Sequence, residues 1–172
     1  TITLTLDAAS GDTPPELLGR LSTRDRETEL DAIRGLVMAI APGYDFRREI
    51  ELTDSLSLGD TLLLREGREL VGFALCHTAP LVEGRTREEL RVLKLVLARD
   101  ASLEAMLRAL CDFARRSGTR RVALRVQGEY SAVYQRIVAL GGRVRWTDLR
   151  MTLAGHPEHM PAQGILLSNW EI

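Results

Sequence analysis

Cysteine is scarce: Cys76 and Cys111 are the only two in 172 residues, and neither has a partner at CxxC spacing. A disulfide framework is not what organises such a chain, and both thiols, set in apolar-patterned segments, read as reduced core residues of a cytoplasmic protein. No apolar run approaches the roughly 18 residues of a membrane span, and the amino end lacks the basic-then-apolar layout of a signal peptide. A soluble intracellular protein without a membrane partner is expected. Charge of one sign is missing too: 23 Lys and Arg against 24 Asp and Glu leave a net charge of -1. No field steers the chain to nucleic acid, which is excluded as a partner. Repeats and low-complexity tracts are absent, and the length suits one domain with its own core.

What is present alternates between two periods. TITLTL at Thr1–Leu6 alternates at period two, as a half-buried strand does, and DAASGDTPPE is loop chemistry. Leu30, Ile33, Val37 and Ile40 mark one face of a helix from Glu27 to Ala41, stopped by Pro42-Gly43. Thr61–Arg65 and Glu69–His77 read as a hairpin around Glu66-Gly67-Arg68. Leu90–Ala98 (LRVLKLVLA) reads as a central strand. Leu103, Met106, Leu107, Leu110, Phe113 and Ala114 then form a helical stripe ending at Gly118. Arg120–Val126 is the next strand, Tyr130, Val133, Ile137 and Leu140 a second stripe, and Arg143–Leu153 a hairpin turning near Thr147-Asp148. Leu90 to Val126 should form a right-handed parallel crossover.

That order, with the stretches GRELVGFALC, LKLVLA, MLRALCDFARRSGTRRVALRV and YQRIVALGG, resembles the GNAT superfamily of acyl-CoA N-acyltransferases over roughly residues 30–153. IRGLVMAIAPGYDFRREI and the terminal ILLSNWEI resemble the carboxy-terminal unit of tandem proteins of that superfamily. The implied fold is α/β (α+β): a mixed, mostly antiparallel twisted sheet of six or seven strands with helices on both faces. One acyltransferase domain over residues 1–172 is expected. Residues 1–25 are read as a linker or as a strand from a preceding unit, and Thr1, not methionine, opens the chain.

The resemblance also implies chemistry. Acetyl-CoA would be the cosubstrate, an amine of a small molecule or peptide the acceptor, and no metal is involved. In the family the pyrophosphate lies against amides at the start of the central helix, where N–H groups lack intrahelical partners and the dipole is positive. The corresponding turn here is Ala98-Arg99-Asp100-Ala101-Ser102-Leu103, which offers Arg99 but no glycine. Arg99 and the amides of Ala101, Ser102 and Leu103 would hold the pyrophosphate, and the backbone of Leu95, Val96 and Leu97 would pair with the pantetheine arm. The other reading of this turn is structural, with Asp100 or Ser102 capping the helix.

Gln127 and Tyr134 stand where the family places an Asn after the next strand and a Tyr seven residues later. Tyr134 would protonate the departing thiolate, since an unperturbed phenol pKa of about 10 is close to a thiol's; packing on a helix flank is the alternative. His77 is the candidate base at the end of its strand, and Glu83, Glu88 and Glu89 follow in a loop. His156-Pro157-Glu158-His159 lacks helical spacing and a third ligand and reads as a polar loop. Trp146 and Trp170 read as core or interface anchors. Ile165–Ile172 reads as an exposed edge strand able to complete a neighbour's sheet in a homodimer. Two functions follow: an N-acetyltransferase, or a GNAT-like module that has lost CoA binding and serves dimerisation or partner binding.

Overall fold

The computed structural model describes residues 2–11, 14–80, 88–149, 151, 153–155 and 160–168. Helix α1 (Thr23–Ile40) buries the expected stripe of Leu30, Ile33, Val37 and Ile40. It starts four residues before the expected Glu27 because Ser22 caps it, its Oγ accepting the Asp25 N–H at 3.2 Å. Helix α2 (Arg47–Ser55) has no counterpart in the sequence reading. Only Ile50 and Thr53 of its nine residues are buried, too few for an apolar period to show.

The strands are β1 (Ile2–Asp7), β2 (Glu16–Leu17), β3 (Gly59–Glu66), β4 (Glu69–His77), β5 (Glu89–Leu97), β6 (Arg121–Val126), β7 (Arg143–Thr147) and β8 (Ile165–Ser168). They form one eight-stranded sheet in the order β2-β3-β4-β5-β6-β1-β7, with β8 joined to β5. Every pairing is antiparallel except β5 with β6. Between those two runs α3 (Leu103–Arg116), so the expected parallel crossover is present. Helix α4 (Ser131–Ala139) joins β6 to β7.

Each face of the sheet carries a core. Leu95, Leu97, Leu124 and Val126 pack with Leu103, Leu107 and Leu110 of α3 and with Val133 and Ile137 of α4. Leu63, Phe73, Leu75, Leu93 and Val96 pack on the other face with α1 and with Ile50 of α2. Helices therefore cover both faces, as expected.

Two expectations at the carboxy end are corrected. Among the described residues of Arg143–Leu153 no second strand follows β7, whose partner in the sheet is β1. Leu149 and Met151 are 98% and 91% exposed. Nor is Ile165–Ser168 an exposed edge: all four residues are buried. Its apolar side chains are split between both cores, Ile165 and Leu167 on the α3/α4 side and Leu166 on the α1/α2 side, which only an interior strand can satisfy. Trp146 is 44% exposed on the edge strand β7 and is not a core residue. Residues 156–159, Trp170 and Glu83 lie outside the described residues.

Truncating Leu167, 3% exposed, to alanine should cost about 2–5 kcal/mol of unfolding free energy. Leu149→Ala should stay within about 0.5 kcal/mol of the parent. Urea denaturation of the two variants separates a core strand from a loosely laid tail.

Candidate functional site

Strand β5 is the axis of the site. From Arg91 to Leu97 it pairs with β4 on one side. On the other it pairs with β6 only at Glu89–Arg91, facing Arg121–Ala123. Beyond Arg91 the two parallel strands part, and the edge from Lys94 to Leu97 pairs with Ser168 to Ile165 of β8. The backbone of Leu95, Val96 and Leu97, the edge expected to meet a pantetheine arm, is thus already engaged by the chain's own strand.

Local chemistry holds that strand in place. Gly164 enters it at φ +77°, and a Cβ there would lie 2.4 Å from the Leu97 carbonyl oxygen, so only glycine allows the approach. The Leu166 N–H donates to the Tyr130 hydroxyl at 3.0 Å. Lys94 Nζ donates to Ser168 Oγ at 3.0 Å and lies 5.3 Å from the centre of the Phe46 ring. Lys94 is only 2% exposed, and burial lowers its pKa while Glu49 opposes that shift. A buried lysine whose donor is satisfied by the inserted strand fixes the register of that strand.

Two of the three amides expected to meet an anion at the start of the central helix, those of Ser102 and Leu103, are also internally satisfied. A 3-10 turn over Asp100–Ser102 leads into α3. Within it the Ser102 N–H donates to the Arg99 carbonyl at 3.1 Å, and the Leu103 N–H to the Asp100 carbonyl. The Asp100 carbonyl also accepts from Arg136 at 2.7 Å. Neither candidate cap makes a side-chain capping bond; Ser102 Oγ instead donates to Glu66 Oε1 at 3.0 Å. Glu66 and Glu69, brought here by the β3–β4 hairpin, pair with Arg99 at 3.2 and 3.5 Å. A carboxylate already stands where an incoming anion would need positive charge. Placed about 4 Å from Glu66, a further negative charge meets a repulsion of roughly 4 kcal/mol at an effective dielectric near 20, before solvent screening.

The remaining candidates fall on two sides of β5. Gln127, at the end of β6, is 4% exposed, and its Oε1 has no hydrogen-bond partner among the described residues. Tyr134 is half-buried and packs against the α3/α4 core. His77 lies on the opposite side, 8% exposed, with Nε2 2.9 Å from Thr53 Oγ1. Burial, assisted by Arg91, lowers its pKa to about 4. Glu88 and Glu89 serve in ion pairs with Arg121 and Arg145 respectively. The sequence reading missed Lys94, Tyr130, Ser168 and Glu66. The one available signal was Lys94, a lone charge inside an apolar strand.

Because His77 binds its proton less readily folded than unfolded, its contribution to stability is present above about pH 6.5 and lost as pH falls towards 4. The loss is on the order of 3 kcal/mol. His77→Gln should flatten that part of the urea-derived stability profile.

Comparison with known proteins shows the fold alone. No family model matches the chain, and no curated protein does. Among solved structures, the Thermus thermophilus protein TTHA1254 superposes with a TM-score of 0.53 at 23% identity, covering 76% of this chain and 95% of its own. A putative acetyltransferase from the GNAT family of Novosphingobium aromaticivorans superposes with a TM-score of 0.52 at 15% identity, covering 84% of this chain. This chain spans 59% of the length of that protein. With a mixed eight-stranded sheet, helices on both faces and two parallel strands that part at their carboxyl ends, the chain has the GNAT fold.

Proposed function

We propose that this chain is a GNAT-fold module that holds its own carboxy-terminal strand where a transferase of this fold would hold acyl-CoA, and that in this arrangement it serves binding or assembly rather than acetyl transfer. The pairing of Lys94–Leu97 with Ile165–Ser168 carries the reading. The neutralised Arg99 and the satisfied amides of Ser102 and Leu103 support it. Displacing β8 would expose Ile165, Leu166 and Leu167, each worth about 1.5–3 kcal/mol when fully buried. Even 3 kcal/mol left unrecovered lowers an apparent affinity roughly a hundredfold. A single domain in the cytoplasm belongs to this proposal; both cysteines are unpaired, and no described helix is long and apolar enough to cross a membrane. A homodimer, if formed, would use β7, whose five residues are all exposed, rather than β8.

A second reading, an N-acetyltransferase, is favoured by one observation: the buried Oε1 of Gln127 beside the parted strands, which has no hydrogen-bond partner among the described residues. There an acceptor amine attacks the thioester carbonyl of acetyl-CoA, the carbon–sulfur bond breaks, and Tyr134 supplies the thiolate with a proton. Water would take the proton lost by the amine and could pass it to His77, which lies on the opposite side of β5 against Thr53. Arg99 with the amides of Ala101 to Leu103 would hold the pyrophosphate, and Leu95 to Leu97 the pantetheine arm, once β8 had left. Among the described residues no group of His, Cys, Asp and Glu could hold a metal ion, and this chemistry needs none.

Thermal unfolding with and without acetyl-CoA decides between the two. The closed module should show no stabilisation at millimolar acetyl-CoA, whereas a ligand at about 100 times its dissociation constant stabilises by roughly 2.7 kcal/mol. A stabilisation that Arg99→Ala weakens would establish the transferase reading, and Tyr134→Phe should then slow turnover more than it harms binding.

A further inference from the structure

A second concavity runs beside α3 from Glu104 to Asp112. It is bounded by the end of β1 and the following residues 9–11, by one flank of α3, and by the exit of α4 at Leu140-Gly141. Its volume of about 630 Å³ falls within the range of small-molecule sites. The wall is fixed by backbone bonds: the Ala8 N–H donates to the Arg120 carbonyl at 2.9 Å and the Ala9 N–H to the Cys111 carbonyl at 3.2 Å. Leu6, Leu107 and Leu140 give the cavity apolar surface.

Its charges do not cancel. Glu104 and Arg108 pair at 2.5 Å. Asp112, 1% exposed, accepts the Gly11 N–H at 2.9 Å and Arg116 Nε at 2.5 Å, with Arg115 at 3.6 Å. Burial alone would raise the Asp112 pKa, but these donors hold it below its usual value, so it stays an anion already matched by arginine. Asp7 is the remaining carboxylate of the lining, and among the described residues it has no ion-pair or side-chain hydrogen-bond partner. Its charge reaches the cavity: after burial, Asp7 is the second influence raising the pKa of the half-buried Cys111 thiol.

We propose that this cavity is a binding site for a small amphipathic cation, a hydrocarbon body with one protonated amine, the body lying against Leu6, Leu107 and Leu140 and the ammonium at Asp7. A neutral molecule of the same shape would forgo the attraction of the Asp7 carboxylate, and an anion would be repelled by it. The proposal is independent of how the parted strands are used, since the two sites share no residue.

Three isosteric probes test it on the full chain: cyclohexylmethylamine, cyclohexylmethanol and cyclohexanecarboxylate, each at millimolar concentration near neutral pH. The amine should raise the unfolding temperature, by a shift at least threefold larger than either of the others produces. Asp7→Asn should remove that preference, and Ala109→Phe, which fills the lining, should remove the shift altogether. Equal shifts from all three probes, no shift from the amine, or a preference that survives Asp7→Asn would each overturn the proposal. Should Ala109→Phe fail to fold, Asp7→Asn alone still decides, because Asp7 is an exposed strand-end residue.

Discussion

The edge of β5 beyond Arg91 is the constraint around which the molecule is arranged. Two parallel strands that part leave a row of backbone donors and acceptors on each without a ladder, in the middle of a sheet covered by helices on both faces. Buried backbone groups left unpaired cost too much to persist. On β5 the chain resolves this with four of its own residues, Ile165–Ser168. Gly164, Lys94 and Tyr130 make that insertion fit.

The same constraint explains why the two halves of the candidate site differ. On the α3/α4 side the inserted strand contributes leucine and isoleucine to the core, and Gln127, just past the end of β6, is buried with an oxygen that has no partner among the described residues. On the α1/α2 side Ser168 gives Lys94 a partner, while Thr53 and His77 form a separate buried pair. At the mouth, the β3–β4 hairpin supplies Glu66 and Glu69 to Arg99. An arginine read from sequence as an anion ligand is thereby a member of a surface ion-pair cluster. Residue type alone does not separate those roles, because both follow from the same guanidinium geometry.

Much of the fold was legible because it is written in local period. The stripes of α1, α3 and α4, the hairpin around Gly67 and the β5–α3–β6 crossover each rest on apolar spacing and turn chemistry within one segment. The GNAT resemblance rested on that same order of elements. Less legible were α2, which buries only two residues, and the candidate site. The turn at Arg99 showed its lack of glycine in sequence, but not the two glutamates that meet it from 30 or more residues away.

Sequence by itself determined most of the strands and helices, α2 and β2 apart, and that the turn before α3 has no glycine with which to bring backbone close to phosphate. Tertiary structure decided which strand lies beside which. TITLTL and ILLS are both apolar strands in sequence, yet β1 lies between β6 and β7 and β8 lies against β5. Nothing in a strand's own residues specifies its neighbour. That choice belongs to the unpaired edges that the rest of the fold leaves open, and to the side chains, Lys94 and Tyr130 here, that wait on them.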